Sequence, residues 1–359
     1  MGYVDADTHL DETEATWEYV EPGEEALKPQ AAEPANLDPN RRPSRYWLVD
    51  GRRQMRFIRD DAKTQTTVGM RELFDVPARL RAMDEMGVDI QVMYPTMFLV
   101  EGTDKPEVEL AMRRSYNRWV ADRTKDSGGR LRWVCLPPTR SMDKAIEELR
   151  FAKDHGACGV MKKGNQEADH WVAEEYFHPL YEEAEKLDLP ICFHTGSGVP
   201  DFSSNKDFLH SSFLRMQMPV PTAMESLVTF DITSKFPKLR FGFIEAGCSW
   251  VPFMDYFLKR RESRKGENSF VRPDVEVKVD NLLQTHRFYV TCQVDEDLPY
   301  ILQFTGEDNL LVGSDFVHAD FSAERDYAKK LKDRVARGEL PESFLRKVMD
   351  ENPRRFYGL

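Results

Sequence analysis

The stretch Pro190-Ile191-Cys192-Phe193-His194 is a short apolar run that ends on an imidazole, and an amphipathic stretch, Ala173–Leu187, leads into it. A short apolar run reads as a buried strand, and a longer run of helical periodicity reads as an amphipathic helix. The same pair recurs along the chain. Strands are predicted at Tyr3–Asp7, Val88–Tyr94, Leu131–Leu136, Cys158–Lys162, Pro190–His194, Leu239–Glu245, Arg287–Thr291 and Asn309–Asp315. Helices are predicted at Val76–Met86, Glu107–Lys125, Met142–His155, Ala173–Leu187, Ala223–Lys235, Val251–Arg261, Asp297–Phe304 and Ser322–Arg337. Pro106 fits a first helical turn, and Ser141 and Ser322 each precede an acidic residue, as helix starts do. Eight strands each followed by a helix is the arithmetic of an α/β fold, a (β/α)8 TIM barrel. A doubly wound sheet needs fewer strands and a glycine-rich first turn, which is missing here.

The chain has 359 residues, and the unbroken rhythm predicts one barrel domain over 1–359. Two segments interrupt it, residues 10–75 after the first strand and 199–222 after the fifth. Both leave the C-terminal rim, where barrel active sites are assembled, and read as lid and substrate-selecting material; for the first, a solvated excursion is the plainer alternative. Pro341–Gly358 reads as a terminal helix packed on the barrel.

Composition excludes several classes of partner. With 50 Lys+Arg against 62 Asp+Glu the net charge is −12, which disfavours nucleic acid and anionic membrane surfaces. The apolar runs are far shorter than the roughly 20 residues of a membrane span. The N-terminus, Met1–Asp11, is acidic with no Lys or Arg, opposite to a secretory signal, so a cytoplasmic protein is expected. The five cysteines are odd in number and form no C-x-x-C pair, which favours buried reduced thiols.

The polar residues that close the strands carry the chemistry. Asp7 closes the first, with His9 two residues on; His194 closes the fifth, Glu245 the sixth and Asp315 the eighth. Singly, His194 reads as a core histidine and Asp315 as a helix cap. Together they imply a cation, because buried carboxylates converging on one rim are costly without compensation. Asp7 and His9 share a strand face and reach one ion. A shell of imidazole nitrogen and carboxylate oxygen suits zinc, manganese or iron rather than calcium or magnesium. His318 follows Asp315 by three residues and is placed to donate to substrate or to orient the aspartate. Arg215, beside Met216 and Met218, offers a cation in a soft apolar wall or is a plain surface residue. His210 lies in the second insertion as a lid candidate. His286 falls at the opposite rim, and His155, His170 and His178 read as surface residues.

The segments Val4-Asp5-Ala6-Asp7-Thr8-His9, Phe193-His194-Thr195-Gly196, Phe243-Ile244-Glu245-Ala246-Gly247 with Trp250-Val251-Pro252, and Gly313-Ser314-Asp315-Phe316-Val317-His318 resemble the amidohydrolase-related (amidohydrolase 2) family. That group comprises metal-dependent TIM barrels related to the aminocarboxymuconate semialdehyde and dihydroxybenzoate decarboxylases. The likeness continues through Ala78-Arg79-Leu80, Met83-Asp84, Tyr94-Pro95-Thr96 and Glu351-Asn352-Pro353. It implies a metal held by Asp7, His9, His194 and Asp315, one ion per chain with ligands enough for two, and assembly as a homodimer or homotetramer. One departure is the first motif, D-x-H where the family commonly has H-x-H; the anionic ligand hardens the site and favours iron or manganese over zinc. Lys162 and Lys163 stand where binuclear relatives place a carboxylated bridging lysine, and the preferred reading makes one or both of them cations for a substrate carboxylate or phosphate. Glu245 is a second-metal ligand or a general acid/base.

A metal-dependent hydrolase or non-oxidative decarboxylase of a small carboxylate-bearing substrate is therefore expected, with Asp315, Glu245 and His318 as catalytic groups and Lys162, Lys163 and Arg215 binding substrate. The alternatives are a non-heme diiron monooxygenase on the same fold, acting on an acyl or acyl-CoA-like substrate, and a non-catalytic ligand-binding barrel.

Overall fold

The computed structural model describes residues 2–33, 45–100, 102–196, 212–266 and 277–359. Strands β1 (Tyr3–His9), β2 (Val88–Tyr94), β3 (Leu131–Cys135), β4 (Ala157–Lys163), β5 (Ile191–His194), β6 (Phe241–Ile244), β7 (Phe288–Thr291) and β8 (Leu310–Leu311) lie side by side in chain order. Every pairing is parallel. The ring closes where Ala6 N–H reaches the Val312 carbonyl at 3.1 Å and His9 N–H reaches that of Phe316 at 2.9 Å. Helices α1 (Val76–Met86), α2 (Pro106–Thr124), α3 (Met142–Asp154), α4 (His178–Lys186), α5 (Pro219–Thr229), α6 (Val251–Glu262), α7 (Leu298–Thr305) and α8 (Tyr327–Ala336) follow the strands in turn. The molecule is the expected (β/α)8 barrel.

Local chemistry sets the elements and aims them. The Asp75 side chain caps α1 by accepting from Ala78 N–H at 3.0 Å, Pro77 fits its first turn, and Gly87 at φ 70° ends it. On the buried face of α1, Arg79 is fully enclosed and donates to Gln91 Oε1 at 2.8 Å and to the His9 carbonyl at 2.9 Å, so the helix holds the end of β1. Phe193, Phe243 and Phe288 form a continuous aromatic seam, with ring centroids 5.7 and 5.1 Å apart along it. Each fully buried phenylalanine contributes about 1.5–3 kcal/mol. The C-terminal helix α9 (Asn352–Tyr357) also reaches the barrel: Tyr357 Oη donates to the Ala6 carbonyl at 2.7 Å and accepts from Tyr94 Oη at 2.7 Å.

The first insertion is built rather than a loose excursion. Strands Arg45–Val49 and Arg52–Arg56 form a hairpin through Asp50 (φ 49°) and Gly51 (φ 74°), and Gln30–Ala32 adds a third antiparallel strand. Trp47, 1% exposed, packs edge-on against Trp17, and Gln54 Nε2 donates to the Met97 carbonyl at 2.7 Å, seating the hairpin over the loop after β2. The run Asn40-Arg41-Arg42-Pro43 lies outside the described residues, as does His210 with the rest of 197–211.

Several predicted boundaries shift, among them the helix expected over Ala173–Leu187, which begins at His178, and four of the shifts have identifiable reasons. β1 runs on to His9 because Thr8 still bridges Phe316. β8 keeps only Leu310–Leu311, since Asp315 (φ 52°) turns the chain out of the ladder. The helix expected over Ala223–Lys235 is α5 followed by a short helix, Ile232–Lys235, broken by Asp231 at φ 53°. Ser322 does not start α8, which begins at Tyr327; its hydroxyl is used elsewhere. All five cysteines are free and buried, and no helix among the described residues is long and apolar enough to cross a membrane.

Candidate metal centre

The ends of β1, β5, β6 and β8 converge at one rim. Asp7, His9, His194 and Glu245 each offer one ligand-type atom to a group in which all such atoms lie within 4.8 Å of one another. His9 Nε2 is 3.6 Å from Asp7 Oδ1, 3.7 Å from Glu245 Oε2 and 3.5 Å from Asp315 Oδ1. His194 Nε2 is 3.4 Å from Asp7 Oδ1 and 3.3 Å from Glu245 Oε2. Asp315 groups instead with His9 and His318, and again with Glu245, His318 and Asp320. Expectation had Asp315 as the fourth partner of Asp7, His9 and His194. Its carboxylate stands beside that group, 3.5 Å from His9 Nε2 and 2.7 Å from His318 Nδ1, while Glu245 lies within the group formed by the other three.

Hydrogen bonding fixes which nitrogens face inward. His9 Nδ1 lies 3.0 Å from the Pro95 carbonyl and His194 Nδ1 lies 2.9 Å from that of Thr195, so both rings donate from Nδ1 and turn Nε2 to the cluster, that of His194 lying 3.4 Å from Asp7 Oδ1. Thr96 Oγ1 donates to the Leu10 carbonyl at 2.6 Å and is left to accept from His318 Nε2 at 3.3 Å, which bares His318 Nδ1. His9 Nε2, Glu245 Oε2, Asp315 Oδ1 and His318 Nδ1 are all buried without a hydrogen-bond partner. Lone pairs facing lone pairs in a dry site are what a divalent cation would relieve, and the donor set fits a zinc, manganese or iron ion.

The charges are strongly coupled. Burial favours a neutral His194, but the Asp7 and Glu245 carboxylates outweigh it and push the imidazole up to about 9. Burial opposes the Glu245 charge, yet His9, His194 and the Ser322 hydroxyl hold it down at about 2. Burial, with Glu245 and Asp7 nearby, drives Asp315 well above the usual carboxylate range. Burial, with Arg59 and the His9 and His194 rings nearby, drives His318 well below the usual imidazole value.

The proposed substrate cations go to different places. Lys162 is fully buried, donates to Glu167 Oε2 at 3.0 Å and lies over the Phe177 ring, so its ammonium is engaged away from the cluster. Lys163, in register with His194, lines a small cavity with Gln54, Phe98 and Arg113. Arg215 sits half-buried on the π-helical turn Phe213–Gln217. His286 is buried between Thr233 Oγ1 and the Lys278 carbonyl, a structural role at the start of β7.

Sequence reasoning missed Arg59. It belongs to the first insertion, its Nε donates to both Asp11 oxygens at 3.0 Å, and its Nη2 is buried without a partner. It lines a cleft of ≈670 Å³ with Arg45, Trp47, Phe57 and Thr96, the last of which touches His318. A second cleft of ≈870 Å³ opens on Asp315, His318 and Asp320. Glu12 was missed as well: its two oxygens accept Thr96 N–H at 3.1 Å and Met97 N–H at 2.8 Å.

Comparison with known proteins agrees with this geometry. The Amidohydrolase family model matches residues 4–359. The chain belongs to the amidohydrolase family. It is 24% identical over 253 residues to the 2-amino-3-carboxymuconate-6-semialdehyde decarboxylase of Dictyostelium discoideum, covering 68% of this chain and 67% of that enzyme. Its fold matches an amidohydrolase from Mycobacterium avium subsp. paratuberculosis K-10 with TM-score 0.77 and 19% identity, over 100% of this chain and 98% of that one. It also matches the dihydroxybenzoic acid decarboxylase of Polaromonas sp. JS666, solved with bound manganese and 2-nitroresorcinol, with TM-score 0.65 and 16% identity, over 100% of this chain and 97% of that one. As a member of the amidohydrolase family, the chain carries its cluster at the barrel rim on which active sites of this fold are built.

Proposed function

We propose that this amidohydrolase is a metal-dependent enzyme acting on a small organic carboxylate, by non-oxidative decarboxylation or hydrolysis. The observation that carries the reading is the set of bare histidine nitrogens opposed to buried carboxylates, beside a guanidinium with an unused N–H. Relatives named for decarboxylating carboxymuconate and dihydroxybenzoate substrates support the carboxylate class. Asp7, His9, His194 and Glu245 would hold the ion, with Asp315 in reach. When bound, the ion supplies positive charge that polarises substrate oxygens or acidifies water. Arg59 Nη2 would take a substrate carboxylate oxygen, leaving the apolar walls Trp47 and Phe57 for the carbon skeleton. Asp315, beside His9 and His318, would pass a proton to the carbon that loses carbon dioxide; in hydrolysis it would instead accept the proton of the attacking water. His318 would steer that carboxyl through its bare Nδ1. Lys163 and Arg215 remain proposed outer contacts for substrate.

Elemental analysis of protein purified without chelator, beside His194→Ala, tests the reading. About one equivalent of zinc, manganese or iron is expected in the wild type and almost none in the variant; metal and turnover surviving in His194→Ala would refute it.

A second reading has its own observation. The single hydroxyl proton of Ser322 faces Glu245 Oε1 at 2.8 Å, Asp315 Oδ2 at 2.9 Å and Asp320 Oδ1 at 2.5 Å. One proton cannot serve three carboxylates, and Glu245, Asp315, His318 and Asp320 form a second group able to take an ion. Two irons there would suit oxygen chemistry on an acyl or acyl-CoA-like substrate. Two iron equivalents after anaerobic purification, with oxygen consumed on adding substrate, would favour it over the first. We also infer a cytoplasmic protein, supported by five unpaired cysteines, and a homodimer or homotetramer, for which exposed Phe253 and Tyr256 on α6 and Tyr300 on α7 offer an apolar face. Sedimentation equilibrium decides the last.

A further inference from the structure

Two of the acids in the cluster are held in a backbone conformation that side chains other than glycine's rarely adopt: Glu245 at φ 62° and Asp315 at φ 52°. Neither returns to a regular strand, so something outside the cluster must over-determine each turn. In both cases it is another carboxylate.

Behind Asp315 stands Asp5, fully buried on β1. Its Oδ1 accepts Ser314 N–H at 2.8 Å and its Oδ2 accepts Ser314 Oγ–H at 2.5 Å, so both oxygens grip the residue before Asp315 across the β1/β8 seam. The seam is tight there, since a Cβ on Gly313 would lie 2.4 Å from Asp7 Cβ. Behind Glu245 stands Glu296, half-buried in the loop before α7. Its Oε1 accepts Cys248 N–H at 2.8 Å, Ser249 N–H at 2.7 Å and Ser249 Oγ–H at 2.6 Å. Its Oε2 accepts Gln293 N–H at 2.7 Å and faces Cys248 Sγ at 3.1 Å. The turn from β6 into α6 is thereby pinned to the loop after β7, while Thr291 Oγ1 receives Glu245 N–H at 2.7 Å.

We propose that Asp5 and Glu296 are positioning residues, each a carboxylate that pins the turn presenting one left-handed acid, Asp315 or Glu245, to the metal cluster. Neither touches the ion or the substrate. Both act by fixing where a ligating oxygen stands, as outer partners of metal ligands do. The inference rests on the metal reading of the cluster.

The test is Mn2+ affinity of the full chain, followed by the electron paramagnetic resonance of free Mn2+, with the Tm of the metal-free protein measured alongside. Asp5→Ala and Glu296→Ala should each weaken Mn2+ binding by about 10- to 100-fold. Asp5→Asn should stay near wild type, because its amide oxygen accepts the Ser314 N–H and its amide N–H donates to Ser314 Oγ. Folded Ala variants that bind Mn2+ as the wild type does would overturn the proposal, as would Asp5→Asn falling as far as Asp5→Ala. Should the Ala variants not fold, Ser314→Ala decides: weaker binding at near-normal Tm supports the pinning role, and unchanged binding overturns it. A wild type that takes no Mn2+ instead refutes the metal reading itself, which is a different result from variants that bind equally well.

Discussion

His9, His194 and His318 each commit one ring nitrogen to an oxygen of the chain and aim the other at a carboxylate. Their chemistry is thus decided by neighbours such as Pro95 and Thr96, which no strand-end pattern reveals. Arg59 was hidden for a similar reason: it lies 50 residues beyond His9 in an insertion, and only the folded hairpin brings it to the cleft. Arg59→Ala should raise KM for a carboxylate substrate about 10- to 100-fold, the worth of a hydrogen bond between charged groups, and Arg59→Lys should restore only part of it; steady-state kinetics check this. Glu12 gives a pH prediction. Burial pushes its carboxyl from 4.5 up to about 8, despite the two backbone N–H groups it accepts. The folded state then holds the proton more tightly than the unfolded state, so the stability it contributes is complete below the unfolded pKa and is lost as pH rises toward 8. Between about pH 5 and pH 8 the Tm of Glu12→Gln should move upward relative to wild type, and a pH-independent gap would show that Glu12 titrates normally.

At the level of elements, the strands most legible in the sequence were the apolar runs of β2 and β5, whose ends the structure keeps at Tyr94 and His194. β8 was legible in place but not in form. Apolar Leu310-Leu311-Val312 announces a strand, whereas the left-handed turn at Asp315 and the close approach of Gly313 to Asp7 on β1 are tertiary features. Gly313→Ala should therefore be severe although the residue looks unremarkable in sequence. The added methyl must part β8 from β1, costing about 1–3 kcal/mol by overpacking and lowering metal content with it; thermal denaturation and elemental analysis on the same preparation check both effects. The helix predicted from Ser322 failed for the opposite reason: a good capping residue was drawn into hydrogen bonds with Glu245, Asp315 and Asp320. Local propensity yielded to the cluster.

Across the whole molecule, the alternation of strand and helix was enough to give the barrel, because each unit buries its own apolar face against the next. What the alternation could not give is how the ends of the chain meet. Tyr357 ties α9 to Ala6 on β1, next to Asp7, and supplies the acceptor for Tyr94 Oη. Tyr357→Phe strands that hydroxyl in a dry interior and should cost about 1–3 kcal/mol, seen as a lower denaturation midpoint with an unchanged m-value.

That closure also couples the centre to a stretch of chain far from it in sequence. Asp7 and His9 are framed by a seam that needs Val312 and Phe316, and the tether beneath them needs Tyr357. A lesion in the last strand or in the helix that follows the barrel therefore reaches groups carried by the first strand. Damage remote in sequence is local in space.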